Sequence, residues 1–404
     1  MEIMHKNCCG LDVHKNSITA CIITSKGKEV NSYSTLTDDL LKLVDKISDS
    51  KCTAVAMEST GVYWKPIYNL LEGLDIDVMV VNAQHMKALP GRKTDVKDAE
   101  WIADLLQHGL LKGSYIPNRE TRELREIVRY RKSLVNERSR EINRMQKVLE
   151  GANIKLASVI SDINGKSGLK ILEAMINGEN DPEKLNSLAH NGIKSKGETL
   201  KKALKGLMGH HQQQMLAMQI DHIEFLNQRL VELNKEIDQR MRPFEEALEL
   251  LDTVPGIGKQ TAEEVISEIG TDMSRWPTPA HLVSWAGLAP GNNESAGKKK
   301  STRTRKGNKH LRAALVESAR SASRTKTYLS KKYRNIASRR GKNKAAVAVA
   351  REMLVSIYFI LKRKQPYIDL GIEHIEKQQK DLIVKNVIKK LQSLGYEVDL
   401  KVTA

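Results

Sequence analysis

Between residues 7 and 82 apolar positions come in short runs, and three of these runs end in an acid or an amide. Cys8-Cys9-Gly10-Leu11 leads to Asp12, Cys52-Thr53-Ala54-Val55-Ala56-Met57 leads to Glu58, and Val78-Met79-Val80-Val81 leads to Asn82. Runs of this length and continuity read as strands buried on both faces, with the polar residue where core gives way to solvent. Ser17 to Thr24 and Glu29 to Ser34 read as two more strands, with Ser25-Lys26-Gly27-Lys28 as the hairpin turn between them. Helices are predicted from about Asp38 to Ser48 and from Trp64 to Leu74. Three antiparallel strands followed by alternating helix and strand make the first and fourth strands parallel neighbours. Asp12 and Glu58 then emerge at adjacent carboxyl ends, the edge at which open α/β sheets place their ligands.

Beyond Asn82 the basic loop Gly91-Arg92-Lys93-Thr94 leads into an Ala- and Leu-rich helix from about Asp95 to Gln107. The period then lengthens. Leu124, Ile127, Leu134, Ile142, Met145 and Leu149 mark a long amphipathic helix from Asn118 to about Glu150. Glycines divide residues 151 to 210 into short helical pieces. A second long helix, from about Gln212 to Leu251, keeps three-and-four spacing through Ile223, Leu226, Leu230, Leu233, Ile237, Phe244, Leu248 and Leu251, with a kink expected at Pro243. Such spacing fits a coiled-coil seam between chains and an intramolecular helical hairpin equally well. Val254-Pro255-Gly256-Ile257-Gly258-Lys259 reads as the turn of a helix-hairpin-helix, whose backbone N–H groups at a helix start suit a phosphate; an ordinary core corner is the alternative. Basic helix continues from 328 to 364, and residues 366–404 read as a small helical appendage ending in a strand from Glu397 to Val402.

Composition narrows the partners. Lys and Arg number 66 against 49 Asp and Glu, a formal charge of +17, so the expected partner is a polyanion. No apolar stretch approaches the roughly 20 residues of a spanning helix, and the amino terminus lacks signal-peptide order, which favours nucleic acid over membrane and a cytoplasmic protein. Cys8, Cys9, Cys21 and Cys52 lack metal-ligand spacing and read as buried thiols. The basic residues concentrate from Gly291 to Arg312, where Lys298, Lys299, Lys300, Arg303, Arg305 and Lys306 are mixed with glycines and hydroxyls and no acid follows Glu294. That mixture favours a phosphate-handling loop over a merely solvated one.

Asp95 and Asp98, three apart at a helix start, share a face that could look at Asp12 and Glu58. Four carboxylates from separated segments suit a two-metal phosphoryl-transfer site holding Mg²⁺. Asp95 and Asp98 taken alone are better explained as compensation of the helix dipole, and Asp104 on the same helix as solvated.

In chain order, Gly10-Leu11-Asp12-Val13-His14-Lys15, Met57-Glu58-Ser59-Thr60-Gly61-Val62-Tyr63-Trp64, Lys93-Thr94-Asp95-Val96-Lys97-Asp98-Ala99, Pro255-Gly256-Ile257-Gly258 and Trp285-Ala286-Gly287-Leu288-Ala289-Pro290-Gly291 resemble one family. It is the insertion sequence 110 transposases, the bridge-RNA-guided recombinases related to the Piv DNA invertase. The resemblance covers roughly residues 5 to 345. It implies an α/β plus α protein: a RuvC-like, ribonuclease-H-like domain over 1–115, a coiled-coil helical domain over 116–246, a transposase domain with a helix-hairpin-helix over 247–365, and the appendage 366–404. By resemblance Asp12, Glu58, Asp95 and Asp98 are catalytic metal ligands and Ser295 is the nucleophile. A glycine is common after that serine; Ala296 stands here, which leaves Ser301 a lesser candidate.

The resemblance further implies donor and target DNA, a non-coding bridge RNA that carries sequence specificity by pairing, and a homo-oligomer, a dimer or tetramer, whose protomers share the site. A serine hydroxyl needs its proton removed or its electrophile polarised, and no His adjoins Ser295 in sequence. Metal polarising the phosphate, with Lys298 to Lys300 neutralising it, would serve instead. Aromatic residues make up only 4% of the chain, which fits backbone binding better than base stacking. Two other readings stand beside this one: a Holliday-junction-resolvase-like metal-dependent endonuclease without a covalent intermediate, and a catalytically silent nucleic-acid-binding protein.

Overall fold

The computed structural model describes residues 3–82, 95–190, 197–291, 293–295, 298–301, 303–371, 373, 384, 386–395 and 397. These fall into two compact units, Met1–Arg119 and Glu120–Ala404.

The first unit is built on a five-stranded sheet of order β3-β2-β1-β4-β5, with β1 Cys8–Val13, β2 Ser17–Thr24, β3 Gly27–Ser34, β4 Ala54–Glu58 and β5 Asp77–Val81. β1 pairs antiparallel with β2 and parallel with β4, as the apolar runs predict. Helices α1 Thr37–Asp49 and α2 Trp64–Leu71 cover one face, where Leu43, Ile47, Ile67 and Leu71 pack on Cys9, Leu11, Val55 and Met57. Helix α3 Asp95–Gln107 covers the other through Ala99, Ile102, Ala103 and Leu106 on Cys8, Ala54 and Ala56.

Small residues in facing rows let α3 lie close to the sheet. At Gly10 any side chain is excluded, because a Cβ there would stand 2.5 Å from the Ala99 carbonyl oxygen. All four cysteines are free and buried, and burial pushes the Cys8 thiol up to about 12 and those of Cys21 and Cys52 to about 11. They are core, as their spacing predicts.

The second unit is helical. Helices α4 Arg119–Gly151 and α9 His210–Met241 run antiparallel within one chain, zipped by Arg240 to Glu123, Arg131 to Asn234 and Arg138 to Asn227, with Leu134 packed on Leu226 and Leu230. Their shared seam is therefore an intramolecular helical hairpin. Between them, among the described residues, the short helices α5 Leu156–Val159, α6 Lys166–Ile176, α7 Pro182–Ser187 and α8 Gly197–Leu204 close a core of Ile154, Leu156, Ile171, Leu172 and Leu200 against Met145, Leu149 and Leu216. The single helix expected to Leu251 ends earlier: Pro243 sits in a 3₁₀ turn, Arg242–Phe244, and a new helix, α10 Glu245–Asp252, starts after it.

α11 Lys259–Ile269, α12 Pro279–Trp285, strands β6 Asn293–Ser295 and β7 Lys298–Ser301, and helices α13 Lys309–Ala322, α14 Tyr328–Arg340 and α15 Lys342–Arg363 follow. The continuous basic helix expected from 328 to 364 is two helices. Gly341 divides them at φ +84°, a conformation costly for any residue with a side chain, just after Arg339 and Arg340 in the last turn. Past α15 the chain folds back, with Tyr367 N–H donating to Thr253 Oγ1 at 2.9 Å and Asp369 Oδ1 accepting from Tyr328 N–H at 3.0 Å. The strand expected over 397–402 lies outside the described residues apart from residue 397. Among the described residues no helix is long and apolar enough to cross a membrane.

Candidate active site

Strand alternation decides where the first two acids point. Cys9, Leu11 and Val13 belong to the α1/α2 face and Cys8 to the α3 face, so Asp12, in phase with Cys8 and Gly10, projects to the α3 side. On β4 the same alternation puts Glu58 in phase with Ala54 and Ala56. The parallel register pairs Leu11 with Met57, so Asp12 and Glu58 are neighbours at the carboxyl ends of adjacent strands.

Helix α3 arrives at that edge by its amino terminus. Gln107 at its far end accepts the Met4 N–H at 2.8 Å, the Ala103 carbonyl accepts from Cys8 Sγ at 3.7 Å, and Ala99 lies over Gly10. The helix thus runs opposite to β1, and its first turn, with Asp98, lies toward Asp12. Asp95 stands one turn before Ala99; its side chain lies outside the described residues.

Asp12 is 4% exposed and accepts a hydrogen bond from His14 Nε2 at 3.1 Å, whereas Glu58 is half-buried. Among the described residues no three His, Cys, Asp or Glu side chains form a metal-binding group. Asp104 is not merely solvated: it pairs with Lys28 of β3 at 2.7 Å, tying α3 to the sheet one turn beyond Ala99.

Ser295 lies in the other unit. The basic run expected as a loop is in part a β-hairpin, in which Ser295 pairs with Lys298 and Glu294 with Lys299, so Ser295 is the last residue of β6 before the tip. The side chains of Ser295, Lys298, Lys299, Lys300 and Ser301 lie outside the described residues, and Arg303, Arg305 and Lys306 are exposed.

The hairpin's base is firmly set. Gly291 N–H donates to the Arg303 carbonyl at 3.0 Å, and Pro290 bridges Thr304. Arg312 is structural, donating to the Gly287 carbonyl at 2.6 Å and to Thr304 Oγ1 at 2.7 Å. Gly287, at φ +70°, leaves room only for backbone: a Cβ would meet Gly307 N at 2.9 Å. The glycine of the Trp285 to Gly291 motif is thus needed for close approach.

Residues outside the sequence motifs hold this base to the long helices. Asn308 caps α13 through the His310 and Leu311 N–H groups and donates to Glu268 Oε2 at 2.6 Å. Glu268, 2% exposed, accepts from Arg129 Nε at 2.6 Å and from its Nη2 at 2.8 Å, while Arg125 donates to the carbonyls of Ser267 and Glu268 at the end of α11. Burial pushes the Glu268 carboxyl up, but the Arg129 bond and charge, Arg125 and Asn308 outweigh it and hold the group below the usual carboxylate value. An acid among Val265, Ile266 and Ile269, and Asn308 before a helical pattern, are the sequence signals for this network.

The expected phosphate turn is also partly structural. A Cβ at Gly256, at φ +89°, would stand 2.5 Å from the Ser318 carbonyl oxygen, so the turn is seated on α13. Lys259 pairs with Asp238 at 2.7 Å, whereas Gly258 is open.

A family model for the DEDD transposases of IS110 elements covers residues 9–154, the span that carries all four acids, and a second, the transposase IS116/IS110/IS902 family, covers residues 248–334, the span that carries Ser295. The chain is 22% identical over 366 residues to the transposase for insertion sequence element IS1111A of Coxiella burnetii, covering 89% of this chain and 90% of that one. It is 23% identical over 384 residues to the pilin gene-inverting protein of Moraxella lacunata, covering 90% and 98%. The protein is a DNA transposase, an enzyme that recombines DNA. It belongs to the IS110 family of transposases.

Proposed function

We propose that this transposase is an RNA-guided recombinase that cuts and exchanges donor and target DNA through a covalent link to Ser295. Asp12, Glu58, Asp95 and Asp98 hold Mg²⁺ on a RuvC-like, ribonuclease-H-like sheet. The observation that carries this reading is the in-register pairing of β1 with β4, which sets two carboxylates side by side at the edge where α3 begins. Asp12, Glu58 and Asp98 offer only hard oxygen donors, the set that suits Mg²⁺ over softer metals. When bound, the metal supplies Lewis-acid polarisation of the scissile phosphate and offsets its charge.

Ser295 Oγ bonds to phosphorus as one P–O bond of the strand breaks and a DNA hydroxyl leaves. Attack by a hydroxyl of the second DNA reverses the step and frees the serine. Because a phosphoester replaces a phosphoester, no ATP is required. The hairpin suits this role, since it pairs the strand of Ser295 with a strand of lysines whose charge offsets that of a phosphate.

Sequence choice rests with the paired bridge RNA, and the protein, with its +17 charge, holds backbones. The turn at Gly258 serves as the backbone-gripping part of a helix-hairpin-helix. A homo-oligomer, a dimer that assembles to a tetramer, forms through the outer stripe of α9, where Met215, Met218 and Phe225 are 46%, 68% and 50% exposed at helical spacing.

The test is a covalent-adduct assay on protein expressed with its native flanking DNA, given labelled donor and target duplexes and Mg²⁺ and resolved on denaturing gels. Wild type forms a metal-dependent adduct that Ser295→Ala and Asp12→Ala both lose. Free cleaved DNA without adduct, unchanged in Ser295→Ala, would instead establish the resolvase-like endonuclease.

A further inference from the structure

From residue 318 to residue 351 the chain carries eleven Lys and Arg and no acid. The flanking acids are occupied elsewhere: Glu317 pairs with Lys132 at 3.1 Å and Glu352 with Lys332 at 2.8 Å. The fold gathers six of these cations at one corner. Arg339 and Arg340 end α14, and Lys342 and Lys344 open α15 across the Gly341 turn. Arg320, at the end of α13, donates to Asn343 Oδ1 at 3.3 Å, which brings Arg320 and, one turn on, Arg324 to the same corner. All six are exposed, and among the described residues none forms an ion pair.

This corner is unfavourable for an isolated protein. Like charges crowd within one helical turn of each other, and Lys342 and Lys344 stand at the positive end of the α15 dipole, where acids would be stabilising and none occurs in the first turn. A polyanion reverses the sign of every one of these terms. The aromatics of the stretch, Tyr328 and Tyr333, are buried, so the corner offers charge without a stacking platform. Charge without stacking suits a duplex backbone over a single strand.

We infer that the α14–α15 elbow, with Arg320, Arg324, Arg339, Arg340, Lys342 and Lys344, is a docking surface for the phosphodiester backbone of duplex DNA, separate from the serine hairpin. It positions the duplex without reading its sequence. The inference stands whether or not Ser295 is the nucleophile.

The test is the full-length Arg339→Gln/Arg340→Gln/Lys342→Gln/Lys344→Gln variant, titrated by fluorescence anisotropy with a random-sequence DNA duplex over a range of salt. Affinity at low salt should fall by about tenfold or more, and the slope of log K against log salt should drop by about one for each cation that touches a phosphate. Unchanged affinity and slope would overturn the inference, as would a loss confined to an RNA duplex of the same sequence, which would reassign the elbow to RNA. Thermal melts check folding of the variant, and Lys342→Gln/Lys344→Gln alone gives the same reading with half the change.

Discussion

Asp12 in the amino-terminal unit and Glu268 in the carboxyl-terminal unit are nearly inaccessible, at 4% and 2% exposed, yet their surroundings differ in kind. Asp12 is next to last on its strand, with a half-exposed histidine as a hydrogen-bond partner and Glu58 next in register on the neighbouring strand. Glu268 lies between helices, gripped by Arg129 and Asn308 and flanked by Arg125. Glu263, one turn earlier on α11, is held in the same way by Arg131, with both groups buried. The difference teaches how to separate buried charge that does chemistry from buried charge that holds a fold. A carboxylate enclosed by guanidinium has its charge answered inside the protein. One at the carboxyl edge of a sheet, beside another acid, stands where such sheets place their ligands.

Replacing each acid by its amide gives the sharpest contrast. Glu268→Gln leaves Arg125 and Arg129 uncompensated and should cost about 3 kcal/mol of stability, measured by denaturant titration. Asp12→Asn should change stability by less than about 1 kcal/mol while abolishing strand exchange in the adduct assay. The reverse pattern, with Asp12→Asn unfolding the chain and Glu268→Gln silent, would break the comparison.

How much of this was legible in the sequence follows from the range of the interactions. The sheet and its acids could be read because β1 and β4 each carry their own signal, an apolar run leading to an acid, and strand order follows from alternation with helices. The hairpin at Ser295 could not. Lys298, Lys299 and Lys300 are poor strand formers, and their pairing is set at a distance by the Gly291–Arg303 and Pro290–Thr304 bridges and the Arg312 clasp. The long helices were legible as helices but not as partners, because Arg138–Asn227 and Arg131–Asn234 fix an antiparallel register through polar positions that the apolar period does not include. Gly341 after two arginines was a readable helix stop, and the basic run around it masked it. Asp104 looked solvated because Lys28 lies on another strand.

A smaller effect tests the packing beneath the edge. Gly10→Ala forces a methyl against the Ala99 carbonyl, so α3 must lift from β1, at a cost of about 1 to 3 kcal/mol. The same lift displaces the Asp98 turn from Asp12, so strand exchange should fall by more than the lost stability alone explains. Comparing activity with the folded fraction at one temperature separates the two effects. Full activity in a destabilised Gly10→Ala protein would mean that the first turn of α3 is not part of the site.

The smallest effect lies at the network's rim. Burial pushes the His310 imidazole below its ordinary value of 6.5, and the nearby charge of Arg129 pushes the same way. Because the folded value is the lower one, the unfolded chain takes up this proton first as pH falls. Stability from this group is therefore whole above pH 6.5 and declines as pH drops from there to the folded value, below which it declines no further. Glu268 acts in a separate, more acidic window: its stabilisation is present above the ordinary carboxylate value of 4.5 and is lost as pH falls through its depressed folded value. Melting temperature against pH should then fall in two steps, and His310→Gln, which cannot titrate, should remove only the step just below 6.5. A wild-type curve flat in that window, or one that His310→Gln leaves unchanged, would place His310 outside the charge network that Arg129 and Glu268 form.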